Sequence, residues 1–476
     1  MSTKQYNIVI INPDQMRWDY MTPNGHPFIE TKNLSRLAAM GTNFDHAFCS
    51  SPMCGPSRTS FLTGQYPCEH GVRDYGGNLD PTAPDALKSL KKAGYHRALF
   101  GKDHVTVGDA IGTHYDEGED NCIGNMDDHP NYVRSWSSGT LEDDSPWNVT
   151  ERYTTNGLDY IERRKKTNQP FFLTLNFQDP HPYFTAPKPY DSLFSPDQFE
   201  LPENFRREPV DGEPTRLSHW RINSRSLEAS EEDFKKAMAM YCGQIRYVDD
   251  QVGRVIDKLE ELDILDSTIV LFWSDHGEFV GDYGVTHKMA AFYDSMVRVP
   301  VILWDPSGRI AKGNNDTFVE TPDMMATLLD LCQIPQPHGS RAYSLLNSQY
   351  EARRDVFTEG GIYRAPLDNP IEGANLRAPH SPTQHGPGSM LRTKKWKLCT
   401  HSFDCWELYD LENDPKECHN VIEVPENAAI IRELTQRLMH RMLCQGQAPE
   451  HLPKPTCIGL DDERMPIWDR DYNAKK

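Results

Sequence analysis

Four short apolar runs, each ending in a cluster of polar residues, constrain this chain more than any other feature. YNIVII (6–11) is followed by Asp14 and Gln15, and RALF (97–100) leads into GKDH, which ends at His104. PFFLTLNF (170–177) runs into QDPH, ending at His181, and TIVLFW (268–273) delivers SDHG (274–277). Amphipathic segments separate the runs. NLSRLAAMG reads as a helix closed by Gly41 in the C′ position, and DALKSLKKAG repeats that form with Gly94 as the stop. Further helices are expected near 153–165 and from about 230 to 262. The alternation predicts an α/β fold with a largely parallel sheet. In such sheets ligands bind beyond the carboxyl ends of the strands. A lone histidine after a strand is more often an ordinary loop residue. Four separate segments converging there single out Asp14, Gln15, Lys102, His104, His181, Asp275 and His276 as one rim.

The stretch SSPMCGPSRTSFLTG (50–64) fits the same edge. Pro56 is tolerated in a first helical turn, and Gly64 ends the helix. Cys54 then lies at a helix N-terminus, where free N–H groups and the positive dipole end favour an anion. Arg58, one turn on, can reach back over the same spot as a forked donor.

Composition narrows the partners. The 476 residues exceed one small core, so a large domain with a smaller companion is expected, divided here as 1–350 and 351–476. A formal charge of −20 argues against nucleic acid or an anionic membrane, so an anionic substrate needs a locally positive pocket. No apolar run approaches a membrane span. The N-terminus is apolar only from 8 to 11, too short for a signal-peptide core, so the chain as given reads as cytoplasmic, or periplasmic if a leader was removed. Eleven cysteines without regular spacing argue against a disulfide framework, and Cys399, Cys405 and Cys418 lack a zinc-type pair.

Cys54-Gly55-Pro56-Ser57-Arg58, followed by Leu62-Thr63-Gly64, resembles the signature of the formylglycine-dependent sulfatases of the alkaline phosphatase superfamily. The likeness extends to NIVIINPDQ, GKDH, QDPHPY, SDHGEFVGDYG, the Lys288 segment THKMAAFYDSMVRVPVI, and KWKLCTHSFDCWELYDLENDPKECHNV. It implies a large, mostly parallel sheet flanked by helices, with a smaller C-terminal α+β subdomain. In this family a separate formylglycine-generating enzyme oxidises the cysteine to an aldehyde, which hydrates to a gem-diol. One hydroxyl attacks sulfur, and deprotonating the other expels sulfate by C–O cleavage, which splits one hard step into two. By position, Asp14, Gln15, Asp275 and His276 would hold a divalent cation that also contacts residue 54. Arg58, Lys102 and Lys288 would neutralise sulfate oxygens, His104 would act as base, and His181, helped by Lys288, would protonate the departing alkoxide. Gln15 and His276 stand where many relatives carry Asp and Asn, which is closer to the choline-sulfatase and phosphonate monoester hydrolase branches. Calcium is the first choice of metal, with manganese or magnesium next.

A sulfated saccharide is the expected substrate, with choline sulfate or a phosphonate or phosphate diester as alternatives. A thiolate phosphatase would place five residues between Cys and Arg and need no metal, and a non-catalytic binding protein would not need every catalytic position filled. Three stretches read as irregular insertions: 107–151, with Trp136 and Trp147; 183–229, with His219 and Trp220; and 363–389, with Arg364, Arg377, His380 and His385. The first two follow rim strands and are expected to wall the pocket. The helix at about 428–444 has the spacing of a packing helix.

Overall fold

β1 (Asn7–Pro13) is apolar at successive positions, and both of its faces are buried. Ile8 and Ile10 enter one core layer with Phe172, Ile269 and Leu271; Val9 and Ile11 enter the other with Leu173, Leu175, Val270 and Phe272. A strand covered on both sides belongs in the middle of a sheet wrapped by helices. The computed structural model describes residues 5–74, 78–106, 110–120, 136–142, 145, 148–347, 353–361 and 386–444.

The remaining strands follow in chain order. They are β2 (Thr42–Phe48), β3 (His96–Gly101), β4 (Glu117–Asp120), β5 (Ser138–Leu141), β6 (Phe171–Phe177), β7 (Phe184–Pro187) and β8 (Thr268–Trp273). Then come β9 (Val301–Trp304), β10 (Gly313–Glu320), β11 (Val356–Gly360), β12 (Gly388–Arg392), β13 (Trp396–His401) and β14 (Glu407–Asp410). The large sheet has the order β10-β2-β9-β8-β1-β6-β3-β4. Its pairs are parallel except where β9 runs against β8 and β2. β1 therefore lies between β6 and β8, so three of the four expected strand ends are neighbours and β3 sits one strand further on. All four open at one edge.

The long helix Glu231–Glu261 covers one face through Tyr241, Ile245, Val248, Val252, Val255 and Leu259, the three-and-four spacing of an apolar stripe. Its Ser230–Asp233 capping box fixes the start. Gly41 does end the helix Lys32–Met40, but with φ −119° it is not in the left-handed form expected of a C′ glycine. A Cβ there would lie 2.2 Å from the Leu303 carbonyl oxygen, so close approach to β9 is what demands glycine. Gly94 has φ +84° and meets the expectation.

The described parts of the first two insertions carry more regular structure than their sequences suggest. β4 and β5 lie inside 107–151, and β7 and the helix Thr215–Asn223 lie inside 183–229. Trp147, Arg364, Arg377, His380 and His385 lie outside the described residues. β11 to β14 form a separate antiparallel meander. Leu434 and Leu438 of the helix Ala428–Cys444 pack on it against Phe357, Leu391 and Leu398. The meander is tied to the β2 end by Thr358 Oγ1 donating to Cys49 O at 2.7 Å and by Glu359 N donating to Ser50 O at 3.0 Å. Among the described residues no helix is long and apolar enough to cross a membrane, and Cys49, Cys54, Cys242, Cys332, Cys399, Cys405 and Cys418 are free thiols.

Candidate active site

Asp14 follows β1 directly, and its N–H stays in the ladder by donating to Phe177 O at 3.2 Å. The chain then turns sharply at Gln15, whose φ of 67° is unusual for a residue with a side chain. Gln15 N donates to Asp275 Oδ1 at 3.1 Å, and Gln15 O accepts from the Tyr241 hydroxyl at 2.7 Å, so both neighbours hold the turn. The end of β8 is fixed in a similar way. Ser274 Oγ bridges to Pro13 O at 2.9 Å, and Ser57 Oγ donates to Asp275 O at 2.7 Å.

Cys54 opens the helix Cys54–Thr63, and Gly64 closes it in the left-handed form. Its buried sulfur is the point of convergence. Lys288 Nζ lies 3.0 Å away, His276 Nε2 3.3 Å, Lys102 Nζ 3.7 Å and Asp14 Oδ1 3.8 Å. Burial and Asp14 push the thiol up, but Lys102, Lys288 and His276 outweigh them and hold it well below the ordinary range. Asp14 is likewise pushed up by burial and pulled well down by Lys102, Lys288, His181 and Arg58. Lys102 Nζ stands 2.6 Å from Asp14 Oδ2.

Arg58 is fully engaged. Nε donates to Asp275 Oδ2 at 2.8 Å, one terminal nitrogen to Asp14 Oδ2 at 3.2 Å, and the other to Lys102 O at 2.7 Å. It braces two carboxylates that would otherwise repel each other.

His181 Nδ1 donates to Pro182 O at 2.6 Å, so the bare Nε2 accepts from Lys288 Nζ at 2.8 Å. Burial, then Lys288, keeps this imidazole neutral, well below its usual range. His104, with φ 55°, lies against the Cys54 sulfur, and burial with Lys102 lowers it too. Lys288 also donates to Gln15 Oε1 at 2.8 Å, so its three protons meet an amide oxygen, a sulfur and an imidazole nitrogen.

One donor set suits a cation. Ligand atoms of Asp14, Cys54, Asp275 and His276, all buried, lie within 4.8 Å of one another. His276 Nδ1 donates to Gly277 O at 2.9 Å, which turns Nε2 to the cluster, where a bound cation would take the place of its proton. Two carboxylates, an imidazole and a nearby amide oxygen fit a hard or borderline divalent ion.

Every site residue expected from the sequence thus falls in one cluster at one sheet edge. The sequence reading passed over Glu278, buried one residue beyond Gly277. Burial pushes its carboxyl above the ordinary range, and N–H donors from Val280, Gln15 and His287 with the Lys288 charge offset only part of that. An acid so close behind SDHG was the available signal.

Residues 6–334 match the sulfatase family, and residues 281–443 match a second family described as N-sulphoglucosamine sulphohydrolase, C-terminal. An arylsulfatase from Clostridium perfringens is 32% identical over 88% of this chain and 91% of its own length. The chain belongs to the sulfatase family. It is a sulfuric ester hydrolase with the fold of that family. A choline-sulfatase from Rhizobium meliloti is 28% identical over 89% of this sulfatase and 84% of its own length. Among solved structures, one in complex with its substrate D-glucosamine-2-N,6-O-disulfate superposes with a TM-score of 0.74 at 21% identity, covering 92% of this chain and 98% of that one.

Proposed function

We propose that this sulfatase cleaves the S–O bond of a sulfated saccharide, using residue 54 as formylglycine and a divalent cation held by Asp14, Gln15, Asp275 and His276. The carrying observation is the convergence of Lys102, Lys288, His276 and Asp14 on the Cys54 sulfur at a helix N-terminus. A thiol there, oxidised by a formylglycine-generating enzyme and hydrated, gives an oxygen nucleophile in the same position. A cation in that donor set, calcium first and manganese or magnesium next, would supply Lewis acidity that helps ionise the nucleophile and draw charge off the ester.

The chain's own groups supply the rest. Lys102 and Lys288 neutralise the sulfate oxygens as charge spreads over them, with Arg58 holding Asp14 and Asp275 in place behind. His104, neutral beside residue 54, takes the proton whose loss releases sulfate. His181 and Lys288 hold one proton between them at 2.8 Å and hand it to the departing alkoxide. A sugar alkoxide needs such an acid; an activated aryl oxide hardly does. Residues 1–350 form the catalytic domain in this reading, and 351–476 a supporting subdomain.

The Asp14-Gln15 and Asp275-His276 pairs keep choline sulfate and phosphonate esters as the second reading. Choline calls for an aromatic cage. On the acid side of this site His181 and His287 lie 5.1 Å apart edge to face, with the Trp220 ring 6.3 Å from His287, and the two imidazoles offer hydroxyl and sulfate partners hydrogen bonds that a cage of apolar rings would not. The test compares His181→Ala on a sulfated sugar and on an activated aryl sulfate. The expected loss on the sugar is about 10²–10⁴-fold, with a far smaller loss on the aryl ester. Equal losses would remove His181 from the acid role. A clear preference for a phosphonate over every sulfate ester would overturn the substrate class.

A further inference from the structure

Glu278 has its two carboxylate oxygens divided between two tasks. Oε1 accepts the backbone N–H of Val280 at 3.0 Å and that of His287. Oε2 accepts the Gln15 side-chain amide through Nε2. The residue is fully buried, and so is Gln15.

The three hydrogen bonds described at the Glu278 carboxyl are all donated by its neighbours, so both oxygens act as acceptors, whereas a side-chain amide has one donating and one accepting end. Glu278 therefore forces the NH₂ of Gln15 toward itself and turns Oε1 the other way. There Oε1 accepts from Lys288 Nζ at 2.8 Å, on the side of the amide that faces Cys54. A reversed amide would press its NH₂ against the Lys288 ammonium and present no lone pair to a cation. We propose that Glu278 is a positioning residue that sets the polarity of the Gln15 amide, and through it the acceptor offered to Lys288 and to the metal. The metal part of this rests on Gln15 being a ligand; the Lys288 part does not.

The division of tasks makes the idea testable by exchange. In Glu278→Gln the new amide can keep its oxygen on the Val280 and His287 N–H groups. Its NH₂ must then face Gln15, which has to reverse. In Gln15→Glu two carboxylates abut. In the double exchange, Gln15→Glu with Glu278→Gln, the NH₂ of residue 278 donates to the new carboxylate, and an acceptor again faces Lys288. Both are isosteric changes that keep the backbone contacts.

The measurements are kcat/KM of the matured enzyme and calorimetric titration of the metal-free protein with Ca²⁺ and with Mn²⁺, alongside melting temperature. Glu278→Gln should lose at least about tenfold in kcat/KM and in metal affinity, as loss of an outer-shell partner does, and Gln15→Glu at least about tenfold in kcat/KM. The double exchange should recover most of both losses. Losses that simply add in the double variant, or wild-type values for Glu278→Gln, would overturn the proposal. If a single variant melts too low to assay, the double variant decides: near-wild-type function supports the pairing, and failure contradicts it. Gln15→Ala separates the two readings. Wild-type metal affinity with reduced kcat/KM would remove Gln15 from the ligand set while leaving the orientation claim to the activity exchange.

Discussion

Lys288 and Lys397 are both buried ammonium groups, and they are used in opposite ways. Lys397 donates to Asp294, to Glu417 Oε1 at 2.6 Å and to Phe292 O at 3.0 Å. Burial lowers this ammonium, but Asp294 and Glu417 more than restore it, above its usual range. Arg392 closes the group with two bonds to Asp294 at 3.0 and 2.9 Å. The charges cancel where the meander meets the large domain. Lys288 has three partners as well, but they are an amide oxygen, a sulfur and an imidazole nitrogen, none of them a carboxylate. Asp14 and the Cys54 sulfur lie in its field, but no carboxylate bonds it directly, which leaves it available to an incoming anion. Perturbed titration alone marks both clusters; what separates a binding centre from a structural rivet is whether the charge is already answered.

The largest effect should come from breaking this contrast at the active end. Lys288→Ala should lower kcat on a sulfate ester by about 10²–10³-fold, the scale of losing one transition-state donor, with the melting temperature nearly unchanged. A large drop in melting temperature with wild-type kcat in the folded fraction would make Lys288 a rivet after all. The mirror experiment is Lys397→Met. It should cost roughly 3 kcal/mol of stability, because buried Glu417 loses the ammonium beside it while Asp294 keeps Arg392, and kcat of the folded protein stays put. Denaturant unfolding together with assays below the transition reads both.

Asp14→Asn and Asp275→Asn sharpen the comparison from the acidic side. Each should weaken Ca²⁺ or Mn²⁺ binding by at least about tenfold and lower activity in parallel. An Asp after a strand is often only a turn former, so wild-type metal content and rate in either variant would return that residue to that plainer role.

The smallest effect concerns an acid with no cation beside it. Asp179 is half-buried, its carboxyl held by the Thr150 hydroxyl at 2.6 Å and the Gln244 amide at 3.0 Å, and desolvation raises it from 3.8 to about 6. A raised folded-state value means the folded state holds its proton longer than the unfolded chain does. Stability therefore falls as pH rises from near 3.8 through about 6, and this contribution is flat above. Asp179→Asn should flatten that slope by on the order of 1–2 kcal/mol across the window. An unchanged slope would place the titration elsewhere.

The centre of the fold was legible because its signals are strong and local. The runs that became β1, β3, β6 and β8 are apolar on both faces, and the polar residue after each run marks where the sheet ends. The Cys54 helix was legible from Pro56 and Gly64. The edge of the sheet was not. β2 carries Asp45 and His46 in half-exposed positions and reads as loop. β9 is only four residues long and runs antiparallel, which no local pattern encodes. The helix Thr215–Asn223 hides in a Pro-rich stretch because its fixing partner is distant: Arg216 pairs with Asp404 at 3.0 Å. Glu278 was passed over for the same reason, since its meaning lies in which oxygen faces Gln15. Family motifs located the chemistry, whereas orientation needed three dimensions.

The central claim is that residue 54 works as an aldehyde hydrate and not as a thiol. The direct test is mass spectrometry of the tryptic peptide spanning 37–58, from protein co-expressed with a formylglycine-generating enzyme, read beside turnover of the same preparation. Sulfur at residue 54 should be replaced by an aldehyde oxygen, activity should track the converted fraction, and Cys54→Ser should turn over poorly because it lacks a second hydroxyl to release sulfate. Full turnover by protein whose residue 54 is entirely thiol would contradict the account.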